Sequence, residues 1–180
     1  ELALHLDGAR LMNAVVESGQ PASKLAAPFD TVSLCLSKGL GGPAGSVLSG
    51  SAEFIKKARR NRKILGGGVR QAGVLAACGL YALKHNVDRM AEDHSHAKSM
   101  AAKLSQIDGW SIDQSKVQTN MIWVDVNKVG NGSFREHMQM RGIVVPEANV
   151  GSTMRLVTHL DFAEQHIDAV VDGVASWIAQ

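Results

Sequence analysis

The sequence predicts an α/β fold: a mostly parallel sheet with helices, followed by a small α+β C-terminal domain. Three observations carry this expectation. Short apolar, β-branched runs alternate with helix-spaced segments through the first half. The second half reads as antiparallel strands interleaved with amphipathic helices. The charge changes sign between the two: residues 1–85 carry eleven Lys/Arg against five Asp/Glu, and the remainder eight against twelve. With that break as the boundary, the expected domains are 1–86 and 87–180.

Taken in order, Leu2-Ala3-Leu4-His5-Leu6 is an apolar run that predicts a buried strand with Asp7-Gly8 at its tip. Residues 9–18 place Leu11, Ala14 and Val15 at helical spacing and stop at Gly19, with Pro21 just beyond. Residues 29–36 form a second apolar, β-branched strand ending at Ser37-Lys38-Gly39, and 46–49 a third. Residues 52–63 read as a charged helix, and 70–84, after Gly66-Gly67-Gly68, as a helix rich in small residues. A long amphipathic helix is expected over 87–107, with Met90, Ala97, Met100 and Leu104 on one side. Strands at 110–113 and 118–126, a helix at 133–140, strands at 143–146 and 153–158, and a helix at 162–179 complete the order.

Composition excludes several classes. A chain of 180 residues, 45% hydrophobic, can bury a core. No apolar run approaches the roughly 18 residues of a membrane span, and no signal-peptide pattern opens the chain. Two cysteines, Cys35 and Cys78, do not make a disulfide scaffold and suit a reducing, cytoplasmic compartment. Aromatic residues make up 4%, too few for a platform that stacks single-stranded nucleic acid. The basic run Lys56, Lys57, Arg59, Arg60, Arg62 and Lys63 reads as a solvated helix face, and no nucleic-acid partner is expected. The chain opens on Glu1 rather than Met, directly before an apolar run, as though partway through a strand.

Two residues stand out chemically. Asp7 lies at a strand tip before a helix, where it either caps the helix or presents a carboxylate at the carboxyl edge of a sheet. Lys38 leaves a buried-type strand and enters Gly39-Leu40-Gly41-Gly42-Pro43-Ala44-Gly45. Flanked by glycines that admit a bulky group, such a lysine can form a Schiff base. The spacing Gly39-x-Gly41-x-x-Ala44 loosely fits a dinucleotide fingerprint, but Pro43 and the strand-like Ser46 to Ser49 do not open the helix that this site needs. A lysine and an aspartate on nearby strand tips are instead the pair that pyridoxal phosphate requires: one holds the aldehyde, the other the ring nitrogen.

Other candidates carry less. His94 and His96 sit two apart on a helix, point away from each other, and do not make a metal site. His159 reads as a packing or supporting residue, Cys35 as a small core residue, and Asn131-Gly132-Ser133 as a turn.

Four segments taken together, His5-Leu6-Asp7-Gly8-Ala9-Arg10-Leu11-Met12-Asn13-Ala14, Ser37-Lys38-Gly39-Leu40-Gly41, Gly67-Gly68-Val69-Arg70-Gln71-Ala72-Gly73 and Met154-Arg155-Leu156-Val157-Thr158-His159, resemble in order and spacing the low-specificity L-threonine aldolases. These are pyridoxal-phosphate enzymes of the aspartate-aminotransferase-like fold, and the resemblance spans the chain. It implies that Lys38 is the Schiff-base lysine, Asp7 the partner of the pyridine nitrogen and Arg10 a donor to the cofactor's phenolic oxygen. Arg70 would lie near the cofactor phosphate or a subunit interface, Ser37 would assist the phosphate, and Arg155 would bind the substrate α-carboxylate in a fork.

The implied reaction is cleavage of L-threonine or L-allo-threonine to glycine and acetaldehyde. The full-length enzyme would be a homodimer or homotetramer. Members of the family carry an N-terminal half before Asp-Gly-Ala-Arg, supplying a phosphate loop and a ring-stacking histidine. The chain therefore reads as the C-terminal half, not expected to turn over substrate alone, with the base for the β-hydroxyl proton expected in the other half. Two alternatives stand beside this reading: a β-eliminating amino-acid lyase of the same fold, or a non-catalytic half-domain.

Overall fold

The computed structural model describes residues 2–180, so the reading of Glu1 as the middle of a strand lies outside the described residues. The chain divides into two compact units, Glu1–Met90 and Ala91–Gln180. No helix among the described residues is long and apolar enough to cross a membrane.

The first unit holds a three-stranded sheet in the order β1 (His5–Gly8), β2 (Thr31–Cys35), β3 (Ser46–Ser49). β1 and β2 are parallel and joined through α1 (Leu11–Ser18) and the short α2 (Ala22–Ala26), while β3 returns antiparallel to β2. The sheet is thus half parallel and half antiparallel, rather than mostly parallel.

Helix α1 stops at Gly19, whose N–H donates to the Val15 carbonyl at 2.9 Å, as its sequence signals require. α3 (Ala52–Ile64) begins on Ser51, whose hydroxyl accepts from Phe54 N, and α4 (Gly73–His85) follows. A small core gathers Leu36, Leu40, Ala82 and Met90, with Met12, Val16, Leu34 and Val87 packed against it.

The expectation of buried strands fails in this unit. Leu2 and Leu4 are exposed and precede the strand, and β3 is exposed throughout. Three short strands by themselves do not enclose both faces of a sheet. Leu4 is instead anchored at the entry to β2: its N–H donates to Asp30 Oδ2 at 2.8 Å and its carbonyl accepts from Asp30 N.

The second unit is an antiparallel sheet, β4 (Trp110–Ser111), β5 (Met121–Val126), β6 (Thr153–Val157), faced by α5 (Met90–Leu104), α6 (Phe134–Gln139) and α7 (Gln165–Ile178). Strand alternation sends Ile122, Val124, Val126, Met154 and Leu156 into a core shared with Ala97, Met100, Leu104, Phe134, Met138 and Trp177. Phe134 packs between Trp110 and Trp177, with ring centroids 5.5 and 4.9 Å away.

The strand expected at 143–146 does not form. Ile143 N donates to Met138 O at 3.0 Å, closing the end of α6, and Pro146 has no N–H to offer a neighbour. That segment joins no strand ladder, with Val144 93% exposed.

Candidate functional site

The parallel pairing of β1 with β2 brings the two chemically marked residues to one edge of the first sheet. Asp7 lies opposite Ser33 in the register. β2 runs on to Cys35, and Lys38 follows in the loop beyond its carboxyl end. Both Asp7 and Lys38 are exposed. This edge is where open α/β sheets place ligands.

Asp7 is not the cap of α1. Its Oδ1 accepts from Ala9 N at 3.0 Å in a local turn, whereas the residue at the cap position of α1, Arg10, makes no capping bond from its side chain. The carboxylate is therefore oriented from behind and keeps acceptor capacity toward solvent. Arg10 is half-buried.

The loop bearing Lys38 is tied by backbone bonds: Gly41 N to Lys38 O at 2.7 Å, Gly42 N to Leu36 O at 2.7 Å, and Leu36 N to Gly45 O at 3.0 Å. Leu36 and Leu40 anchor it in the core on either side of the lysine. Behind this edge, among Arg10, Asn13, Leu34, Gly39 and Met90, the packing leaves only ≈ 10 Å³, about the space of one water. Room for a larger group beside Asp7 and Lys38 lies only on their solvent side.

Alternation places His5, Asp7, Thr31, Ser33, Cys35 and Ser46 on one face of this sheet together with Leu48, a mainly polar face that the apolar-run reading passed over. His5 Nδ1 lies 2.7 Å from Thr31 Oγ1 across the pair. Cys35, expected in the core, is instead half-buried with its Sγ 3.4 Å from Ser37 Oγ. Burial pushes its thiol up, but hydrogen bonds from Ser37, the charge of Lys38 and a bond from Ser46 together bring it below the usual thiol value. Period-two spacing of His5, Asp7 and of Thr31, Ser33, Cys35 was the available signal.

The remaining predicted residues lie elsewhere. Ser37 is exposed beside Lys38. Arg70 sits exposed in the turn before α4, next to Gln71 at φ 53°, and no contact joins it to Asp7 or Lys38 among the described residues. Arg155 belongs to the second unit, on the open face of β6. Its guanidinium lies over the Trp123 ring, 5.8 Å from the centroid, and lines a hollow of ≈ 660 Å³ with Ile143, Val145, Phe162 and His166.

Thr158, just past β6, is clamped: its Oγ1 donates to Asp93 O at 2.6 Å, and its carbonyl accepts from Asn120 Nδ2 at 2.8 Å. His159 is half-exposed at the rim of the same hollow, 3.9 Å from Asp161, and is not a packing residue.

Comparison with known proteins gives the chain a family. Over 179 residues it is 43% identical to the low specificity L-threonine aldolase of Escherichia coli (strain K12), covering 99% of this chain and 52% of that protein. It is 44% identical over 159 residues to low-specificity L-threonine aldolase 1 of Arabidopsis thaliana, covering 87% and 44%. The chain thus spans about half the length of the curated relatives it matches. Its α/β fold matches the crystal structure of a putative L-allo-threonine aldolase from Listeria monocytogenes EGD-E with a TM-score of 0.80 at 22% identity, over 97% of this chain and 52% of that one. The beta-eliminating lyase family matches residues 1–127. With that match covering well over half of its residues, the chain belongs to the beta-eliminating lyase family.

Proposed function

We propose that the protein serves a pyridoxal-phosphate-dependent aldolase that cleaves a β-hydroxy-α-amino acid, L-threonine or L-allo-threonine, to glycine and acetaldehyde. The observation that carries this reading is the delivery of Asp7 and Lys38 to one sheet edge by adjacent parallel strands. The likeness to threonine aldolases, 43% over nearly the whole chain, supports it.

The donor set fits the group. Lys38 offers a primary amine for the aldehyde, Asp7 a carboxylate for the ring nitrogen, and Arg10 a guanidinium for the phenolic oxygen. Ser37 and Arg70 would serve the phosphate, with Arg70 at a subunit interface as the other reading. When bound, pyridoxal phosphate supplies an electron sink for the pair left by the breaking Cα–Cβ bond. Asp7 would keep the proton on the ring nitrogen, since a fixed carboxylate favours the charged form of a cationic neighbour. Lys38, once freed by the substrate amine, would carry a proton at Nζ for delivery to Cα. Arg155 would grip the α-carboxylate through two N–H donors and so fix which bond at Cα is broken.

The smaller domain beginning near residue 87 would carry Arg155, and the domain before it the cofactor residues. A homodimer or homotetramer of the complete enzyme is part of this reading. So is a cytoplasmic location, supported by two free thiols, Cys35 and Cys78.

The test is to add pyridoxal phosphate to wild type and Lys38→Ala and follow visible absorbance. A band present in wild type and absent from the variant is expected. A band unchanged in Lys38→Ala would remove the lysine from its role, and no band in wild type would mean that this chain does not hold the cofactor by itself. The family match favours one second reading, β-elimination. Products separate the two: glycine with an aldehyde for the aldolase, pyruvate with ammonia for the eliminating lyase.

A further inference from the structure

Arg155 is exposed and makes no ion pair among the described residues. Its guanidinium lies over the indole of Trp123, its direct partner across the β5–β6 ladder. Ile122 and Val124 turn into the core on either side of Trp123, as Met154 and Leu156 do around Arg155. The two side chains are therefore forced onto the same open face. The 5.8 Å from guanidinium carbon to ring centroid is within cation–π range.

The guanidinium carbon thus lies over the indole while none of its N–H donors has a hydrogen-bond or ion-pair partner among the described residues. The other arginine of the hollow shows the contrast: Arg141 donates from Nη1 to His137 O and from Nη2 to Ser176 Oγ, both at 3.1 Å. Asp125, the carboxylate on the same face of β5, accepts from Thr153 Oγ1 at 2.6 Å and forms no ion pair with Arg155. Trp123 itself is 49% exposed, an unusual cost for so large an apolar side chain, on the face it shares with Met121, Asp125, Thr153 and Val157.

We infer that Trp123 is a positioning residue for substrate affinity: its indole is the platform that holds the Arg155 guanidinium in place with its N–H donors ready for a carboxylate. This rests on the reading of Arg155 as the carboxylate anchor. It adds a residue whose role is to orient that anchor without touching substrate.

The experiment measures binding of glycine, and of methylamine as the analogue without a carboxylate, to the complete cofactor-loaded protein by equilibrium dialysis. Trp123→Leu should weaken glycine binding about two- to fivefold, the worth of an exposed cation–π contact, and leave methylamine binding unchanged. Trp123→Phe, which keeps an aromatic face, should fall between wild type and Trp123→Leu. In an Arg155→Gln background, Trp123→Leu should cause no further loss. Glycine binding unaffected by Arg155→Gln would overturn the anchor and the platform together. Binding lost in Arg155→Gln but unchanged in Trp123→Leu would overturn the platform alone. Equal, additive losses for glycine and methylamine would show a merely structural Trp123 and would also overturn it.

Discussion

Glu147 directly follows Val145 and Pro146, which line the hollow beside Arg155, and its titration gives a sharp test of how that segment is held. Its carboxylate accepts from Ser133 Oγ at 2.6 Å, Phe134 N at 2.8 Å, and Arg135 N and Ala148 N at 3.4 Å. It therefore sits on the start of α6 and pins the segment that follows the irregular Val144–Pro146 stretch. The Ser133 hydroxyl, above all, holds this carboxyl below the usual glutamate range, against a smaller opposing effect of burial and with help from the Phe134, Arg135 and Ala148 backbone.

A carboxylate with a lowered folded-state pKa stabilises the protein above its unfolded value of about 4.3, and that stability disappears as pH falls through the lower folded value. Glu147→Gln keeps the shape and one acceptor but loses the charge. Charge-assisted hydrogen bonds are worth about 1.5–3 kcal/mol, so with one acceptor retained the cost at pH 7 is about 1–2 kcal/mol. For a chain of this length that is roughly a 2–8 °C drop in Tm. Thermal unfolding of wild type and variant, followed by circular dichroism at pH 7 and again near pH 3, reads both ends of the window. The two proteins should differ at neutral pH and converge in acid. A gap that persists undiminished at pH 3 would refute the electrostatic argument, and no gap at pH 7 would refute the structural one.

Three further outcomes follow from the geometry. Asp7→Asn keeps the local turn but removes the charge, so the cofactor-loaded enzyme should lose about 10- to 100-fold in kcat, measured by aldehyde release, with folding unchanged by circular dichroism. Gly130→Ala would place a Cβ 1.8 Å from the Trp177 carbonyl, a backbone atom that cannot step aside, and should cost about 1–3 kcal/mol or more in urea unfolding. Alkylation of Cys35 by iodoacetamide, read by mass spectrometry, should show its inflection below the ordinary thiol value, and Ser37→Ala should move that inflection upward.

The placement of Asp7 and Lys38 at one sheet edge was legible because it depends on connectivity alone. Two strands joined through a helical segment lie parallel and end on the same side, so residues at their carboxyl tips meet at one edge whatever the rest of the chain does. The second unit was legible for a different reason. Its strands alternate strictly, and Ile122, Val124 and Val126 on β5 match Met154 and Leu156 on β6 as a single buried face. The end of α1 at Gly19 and the start of α6 at Ser133 were fixed by local chemistry that needs no tertiary context.

What escaped the sequence depended on partners beyond the local segment. Ile143-Val144-Val145 has the composition of a strand, but composition states only that a residue tolerates an extended backbone. Whether it pairs is settled by its N–H groups, and Ile143 gives its own to Met138. The same distinction governs the first sheet. Leu2, Leu4 and Leu6 suggested a buried strand, yet the interleaved His5 and Asp7 were the more informative residues, because they mark a face built to remain polar. His5 to Thr31, Cys35 to Ser37 and the Ala9 N–H on Asp7 are bonds between groups of that face or its edge, and none of them serves a hydrophobic core. An apolar run interrupted at every second position by groups that hydrogen-bond one another is better read as a strand with one polar side than as a core strand. Under that rule, the face of β1 and β2 that holds Asp7 and the Trp123–Arg155 pair of β5 and β6 are the same kind of feature: in both sheets, alternation puts the residues of the proposed site on the side away from their apolar strand neighbours.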